Sequence, residues 1–129
     1  VLDFPGLDKY DEPVQLLVDT GADRTVLAPR DAFRLGLDLA ALDEGIPSTG
    51  VGGRTRTRTV AAVLTIDGFS TAMTLTILAT PPEPQSLPIP SLLGRDILSR
   101  FALFVEERTG HVLLLTPDEA DQLNLPPSA

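Results

Sequence analysis

Val14-Gln15-Leu16-Leu17-Val18-Asp19-Thr20-Gly21-Ala22-Asp23 is the stretch on which the reading of this chain turns. A short apolar run ends abruptly in a carboxylate, a hydroxyl and a glycine. The run predicts a buried strand over 14–18. Asp and Gly then predict a tight turn, because Asp bonds nearby backbone and Gly tolerates conformations closed to other residues. Taken alone, Asp-Thr-Gly is an ordinary turn. Its weight depends on what surrounds it.

Downstream, Thr25-Val26-Leu27 is short and β-rich and predicts a second strand. Pro29 suits the first turn of a helix through Leu35, with Gly36 as its stop. Residues 37–49 read as loop, broken by Gly45 and Pro47. Gly50-Val51-Gly52-Gly53 reads as a flexible tip. It lacks the lysine and Ser/Thr that a phosphate-binding loop needs. Arg54-Thr55-Arg56-Thr57-Arg58-Thr59 alternates strictly, which in a strand puts arginines on one face and threonines on the other.

Val60 to Ile66 and Thr71 to Leu78, joined through Asp67-Gly68, predict a hairpin. Pro81, Pro82, Pro84, Pro88 and Pro90 make residues 80–90 a stiff surface connection. Ser91-Leu92-Leu93-Gly94 predicts a brief buried strand, and Arg95 to Phe101 a short helix. Leu103 to Glu106 and His111 to Leu115 predict a second hairpin. Thr116-Pro117-Asp118-Glu119 is a capping box with proline at the first helical position, so a helix runs to about Leu123.

Composition bounds the chemistry. At 129 residues the length prior gives one domain, 1–129, with its core over about 14–115. There is no cysteine, so disulfides and thiolate metal sites are excluded. The single histidine, His111, cannot build a histidine-rich metal site. The formal net charge is -8, with the acids scattered, which disfavours nucleic acid as a partner. Apolar stretches such as Val60-Ala61-Ala62-Val63-Leu64 are too short to span a bilayer, so no membrane contact is expected within this segment. The acids at Asp118, Glu119 and Asp121 read as a favourable charge set at a helix N-terminus.

Four segments, in order, carry a resemblance. Leu17-Val18-Asp19-Thr20-Gly21-Ala22-Asp23 looks like the catalytic strand and loop of the retropepsin-like aspartic proteases, and Thr25-Val26-Leu27 like the strand after it. Gly50-Val51-Gly52-Gly53 looks like their flap tip. Leu92-Leu93-Gly94-Arg95-Asp96-Ile97-Leu98 is similar to their late apolar-apolar-Gly-Arg segment and the helix it starts. The resemblance implies a mostly-β, retropepsin-like acid-protease barrel with short helices, one lobe per chain, closed by homodimerisation.

It also implies an aspartic endopeptidase needing no metal or organic cofactor. Asp19 from each of two chains would form a carboxylate pair sharing one proton. Thr20 would bond across the dimer axis, and Gly21 would let backbone approach the substrate. Ala22, Asp23, Gly50, Val51, Gly52 and Gly53 would contact an extended peptide, and Asp23 would pair internally with Arg95. The hairpin over 103–115 departs from the retroviral members. It looks more like cellular ubiquitin-shuttle and bacterial relatives, where a hairpin helps build the dimer sheet.

Arg24 and the Arg54, Arg56, Arg58 row have two readings: a solvated face, or positive charge near the cleft that favours acidic substrate side chains. The rivals to a free-standing enzyme are a catalytically silent binding or dimerisation module of the same fold, and a protease domain active only within a longer chain.

Overall fold

The computed structural model describes residues 1–50, 53–79, 89–124 and 126. In chain order the strands and helices are β1 (Leu2–Phe4), β2 (Lys9–Glu12), β3 (Leu17–Val18), β4 (Val26–Leu27), α1 (Pro29–Arg34), β5 (Asp43–Glu44), β6 (Ser48–Gly50), β7 (Gly53–Thr55), β8 (Thr57–Ile66), β9 (Phe69–Leu78), β10 (Leu92–Leu93), α2 (Arg95–Leu98), β11 (Ala102–Glu106), β12 (His111–Leu115) and α3 (Pro117–Asp121). The fold is mostly β. The main sheet runs β2-β1-β8-β9-β4-β10-β3, with β5 also on β8, and in this single chain it stays open.

β8 and β9 form the spine. They pair antiparallel along their whole length, from Thr57 opposite Leu78 to Ile66 opposite Phe69. Asp67 and Gly68 close them with φ of 47° and 84°. Both are positive, as the two-residue turn that matches strand twist requires. Alternation does the rest. Leu2 and Phe4, Ala62 and Leu64, and Leu75 and Ile77 are spaced by two and share one buried face. Leu27, Ala32, Leu35, Leu93, Ile97 and Leu98 complete that core.

Several expectations need correction. The ladder in the first apolar run covers only Leu17–Val18, and Leu17 is 58% exposed, so 14–18 is not a buried strand. Val14, Leu16 and Val18 pack on the core while Leu17 points away, the pattern of a strand with one wet face. Residues 37–49 are not simply loop: they hold a short 3₁₀ turn at Leu39–Ala41, β5 and the start of β6. The late helix stops at Leu98 instead of Phe101. The first thirteen residues, for which no element was expected, form the β1–β2 hairpin. The connection expected over 80–90 lies, for 80–88, outside the described residues.

β11 and β12 make a separate two-stranded sheet. Phe101, at its entry, stacks edge-on against Phe69 with centroids 4.8 Å apart, and Leu114 packs on the core. Phe104, Val105, Val112 and Leu113 remain 44–52% exposed. Among the described residues no helix is long and apolar enough to cross a membrane.

The capping box at α3 forms in both directions. Glu119 N–H donates to Thr116 Oγ1 at 3.3 Å, and Thr116 N–H donates to the Glu119 carboxylate at 3.1 Å. The Thr116 backbone N–H first, and the neighbouring Thr116 side chain second, hold the Glu119 carboxyl below its ordinary value of 4.5. A depressed carboxyl stabilises the fold above its unfolded value and loses that contribution as pH falls through the folded one. An NMR titration should therefore find Glu119 below 4.5. Thr116→Ala should raise it only part of the way, because the backbone donor remains.

Candidate active site

The loop that follows β3 is built from two distant parts of the chain. β3 runs parallel to β10, with Leu17 opposite Leu92 and Val18 opposite Leu93. β10 also pairs with β4, at Leu92 opposite Val26. β10 therefore sits between the strand entering the loop and the strand leaving it. Leu17 N–H donates to Ser91 O at 2.8 Å and Asp19 N–H to Leu93 O at 3.0 Å, so the ladder continues into the loop.

Asp19 stands half-buried where β3 ends. Its Oδ1 accepts the Gly21 N–H at 2.9 Å, and its carbonyl accepts the Ala22 N–H at 3.2 Å. Both bonds fold the backbone round the carboxylate, the Asp turn chemistry read from the sequence. A Cβ at Gly21 would lie 3.3 Å from Oδ1, so glycine leaves that oxygen room. The other carboxylate oxygen accepts no hydrogen bond among the described residues. Thr20 and Gly21 are exposed, and Ala22 is half-buried.

The start of α2 closes the loop from below. Arg95 N–H donates to Ala22 O at 2.8 Å, and Asp96 N–H to Asp23 O at 3.2 Å. The Arg95 guanidinium meets the Asp23 carboxylate. Their side chains are 60% and 79% exposed, so this pair lies on the surface of the single chain, where ion pairs contribute little. The backbone bonds hold the loop more firmly than the charges do.

The sequence reading gave no role to two further residues that fix this geometry. Thr25 is 1% exposed, and the Asp96 carboxylate accepts both its N–H, at 3.0 Å, and its hydroxyl, at 2.7 Å. The Thr25 hydroxyl in turn accepts the Gly94 N–H at 3.1 Å. Gly94 lies against Arg24: a Cβ there would come within 2.9 Å of Arg24 N and closer still to its carbonyl. The sequence offered little signal: Asp96 falls in the first turn of α2, where an acid already suits the helix N-terminus, so nothing local announced its bonds to Thr25. Asp96→Ala should cost about 2–3 kcal/mol in urea unfolding at unchanged m, since it leaves a buried N–H and hydroxyl unpaired. Asp96→Asn keeps an acceptor and should cost less than half as much.

The structure does not join the remaining expected residues to this loop. Gly50 and Gly53 pair with each other in the β6–β7 hairpin, which makes no hydrogen bond to residues 19–24 among the described residues. Val51 and Gly52 lie outside those residues. The arginine row divides. Arg58 donates to Leu42 O at 3.1 Å and faces Glu44 at 3.9 Å, whereas Arg54 is exposed and Arg56 lies further along the same segment without an ion pair among the described residues. Arg24 is exposed as well.

A loop with an Asp-Thr-Gly turn, pinned between a parallel strand pair and the start of a short helix, defines an aspartyl protease lobe. The aspartyl protease family profile matches residues 8–97, and the chain belongs to that family. Its fold is retropepsin-like. EIAV protease, solved with the inhibitor HBY-793, is 29% identical over 67% of this chain and 75% of its own, with a TM-score of 0.54. A retropepsin-like aspartic protease from Rickettsia conorii is 23% identical over 79% of each chain, with a TM-score of 0.55. The retroviral protease-like domain of Ddi1 from Leishmania major aligns over 84% of this chain and 87% of its own at 19% identity, with a TM-score of 0.47. No curated protein matches the chain.

Proposed function

We propose that this chain is an aspartic endopeptidase that works as a homodimer, with Asp19 of each copy forming the catalytic pair. One observation carries the reading: Asp19 is held at the end of β3 by bonds from residue 21 and from β10, with one carboxylate oxygen uncommitted. The reaction needs two such carboxylates. In the lobe Asp23 is paired with Arg95 and Asp96 with Thr25, so neither nearby acid serves as the second. A second copy supplies it on a two-fold axis.

In that arrangement one Asp19 is ionised and takes a proton from a water. The water attacks the peptide carbonyl. The protonated Asp19 hydrogen-bonds the developing oxyanion and then helps protonate the leaving amine. Thr20 sits beside Asp19 to bond the partner's loop, and Gly21 and Ala22 line the approach of an extended peptide. Asp23 and Arg95 hold the loop's far side. Gly50, Val51, Gly52 and Gly53 act as the flap over the substrate and exclude water.

The exposed apolar residues of β11 and β12 support the dimer. A two-stranded sheet is marginal in water on its own, and half-exposed Phe104, Val105, Val112 and Leu113 favour a covering sheet.

The test is cleavage of a diverse peptide pool from acidic to neutral pH, with sedimentation of the same sample. Cuts made by a dimer and absent from Asp19→Asn support the reading. A dimer that leaves the pool as intact as Asp19→Asn does favours the silent binding module.

A further inference from the structure

We propose that Ser91 and Asp31 are positioning residues for Asp19: together they fix the register of β3 on β10, and so the direction in which the Asp19 carboxylate points. The inference rests on the reading of Asp19 as the catalytic acid of a two-fold dimer.

β3 is the last strand of the main sheet, and β10 is its one strand neighbour among the described residues. Both strands are two residues long. So short a ladder specifies its register weakly, and a slip of one residue would turn every side chain of β3 to the other face. Asp19, one residue beyond β3, would turn with them. Its N–H is bonded to Leu93 O, and two residues earlier Leu17 N–H donates to Ser91 O at 2.8 Å. Whatever holds Ser91 in place therefore holds the register that aims Asp19.

Ser91 is 1% exposed, and its hydroxyl is fully committed. Oγ accepts the Ala28 N–H at 2.8 Å and donates to Asp31 Oδ2 at 2.6 Å. A backbone N–H can only donate, so the single hydroxyl proton goes to Asp31. The length is that of a hydroxyl on a carboxylate, the stronger class of hydrogen bond. Asp31 is braced in turn. Its Oδ1 faces Arg34 Nε at 3.5 Å, and Arg34 Nη2 donates to Pro13 O at 2.9 Å. α1 thus grips the stretch that leads into the Asp19 turn at both ends: Pro13 through Arg34, and Leu17 through Asp31 and Ser91. An acid in the first turn of a helix is favourable anyway. That role does not need a buried serine 60 residues away. Positioning also leaves a signature in the chemistry. Two carboxylates sharing a proton have apparent pKa values that closeness drives apart. A loosened β3 lets them separate, and the two values converge.

The experiment compares wild type with Ser91→Ala, Ser91→Thr, Asp31→Ala and Asp31→Asn on a peptide that wild type cuts, with rates taken per folded molecule. In Ser91→Ala and Asp31→Ala, kcat should fall about ten- to a hundredfold while KM stays within about twofold. The bell of kcat/KM against pH should narrow, its acid limb moving up and its basic limb down. Asp31→Asn keeps an acceptor and Ser91→Thr keeps a hydroxyl, so both should recover most of the loss. Combining Ser91→Ala with Asp31→Ala should cost little more than either alone, because the two act as one unit. A bond that merely stabilises the core would lower Tm and leave kcat per folded molecule and the bell as they are. That result, or a change confined to KM, overturns the assignment and leaves the endopeptidase intact. If Ser91→Ala does not fold, Asp31→Ala decides, since that side chain is already 17% exposed, and an unchanged bell there overturns the assignment. If wild type cuts no peptide, the endopeptidase reading falls and this inference falls with it.

Discussion

Asp19→Asn should lower peptide cleavage by about a thousandfold or more while leaving the fold in place. The variant keeps an oxygen where Oδ1 accepts the Gly21 N–H, so the turn survives. It cannot hold the ionised form that draws a proton from water. Because each site would take one Asp19 from each copy, the substitution removes both members of the pair at once. Circular dichroism and the unfolding midpoint should match wild type, which separates lost chemistry from lost structure.

The same substitution tests whether the site is shared. Suppose a fixed amount of wild type is mixed with an equal amount of Asp19→Asn and the copies exchange freely. About a quarter of the dimers are then wild type on both sides, and activity should fall to about half its starting value. Undiminished activity after complete exchange would mean that one copy carries the whole site.

The second large effect is structural. Gly94→Ala should destabilise the protein by about 3 kcal/mol and lower Tm by roughly 10 °C, measured by calorimetry. The new Cβ would meet backbone atoms of Arg24 instead of a flexible side-chain tip. Backbone there has little freedom to move, because Thr25 is held by Asp96 and Asp23 O accepts the Asp96 N–H. Activity per folded molecule should fall too, since the displaced segment continues into Asp19. An unchanged Tm would show that the loop has slack these bonds do not suggest.

What the sequence disclosed depended on how local the signal was. The β8–β9 hairpin was legible because alternation and Asp67-Gly68 both sit within a few residues. The α3 cap was legible for the same reason, as Thr116 and Glu119 are three apart. The Asp19 turn was legible as a turn, and the family segments around it gave it meaning. Burial of 14–18 was overestimated, because a run of apolar letters does not say that Leu17 faces water. The β1–β2 hairpin was missed because its strands are three and four residues long, too short for a period to emerge. The Asp96–Thr25 bonds were missed because they join residues 71 apart, and no local pattern announces such a meeting.

That separation has a consequence for biosynthesis. The Asp19 loop takes its hydrogen bonds from residues 91–96, so a nascent chain that has emerged only through β9 has β3 and β4 but lacks the strand that joins them. Contacts this far apart form late, after their loop-closure entropy is met. The Asp19 loop would thus assemble only once residues 91–96 have been made, and a translating ribosome would carry it unformed until β10 and α2 are exposed.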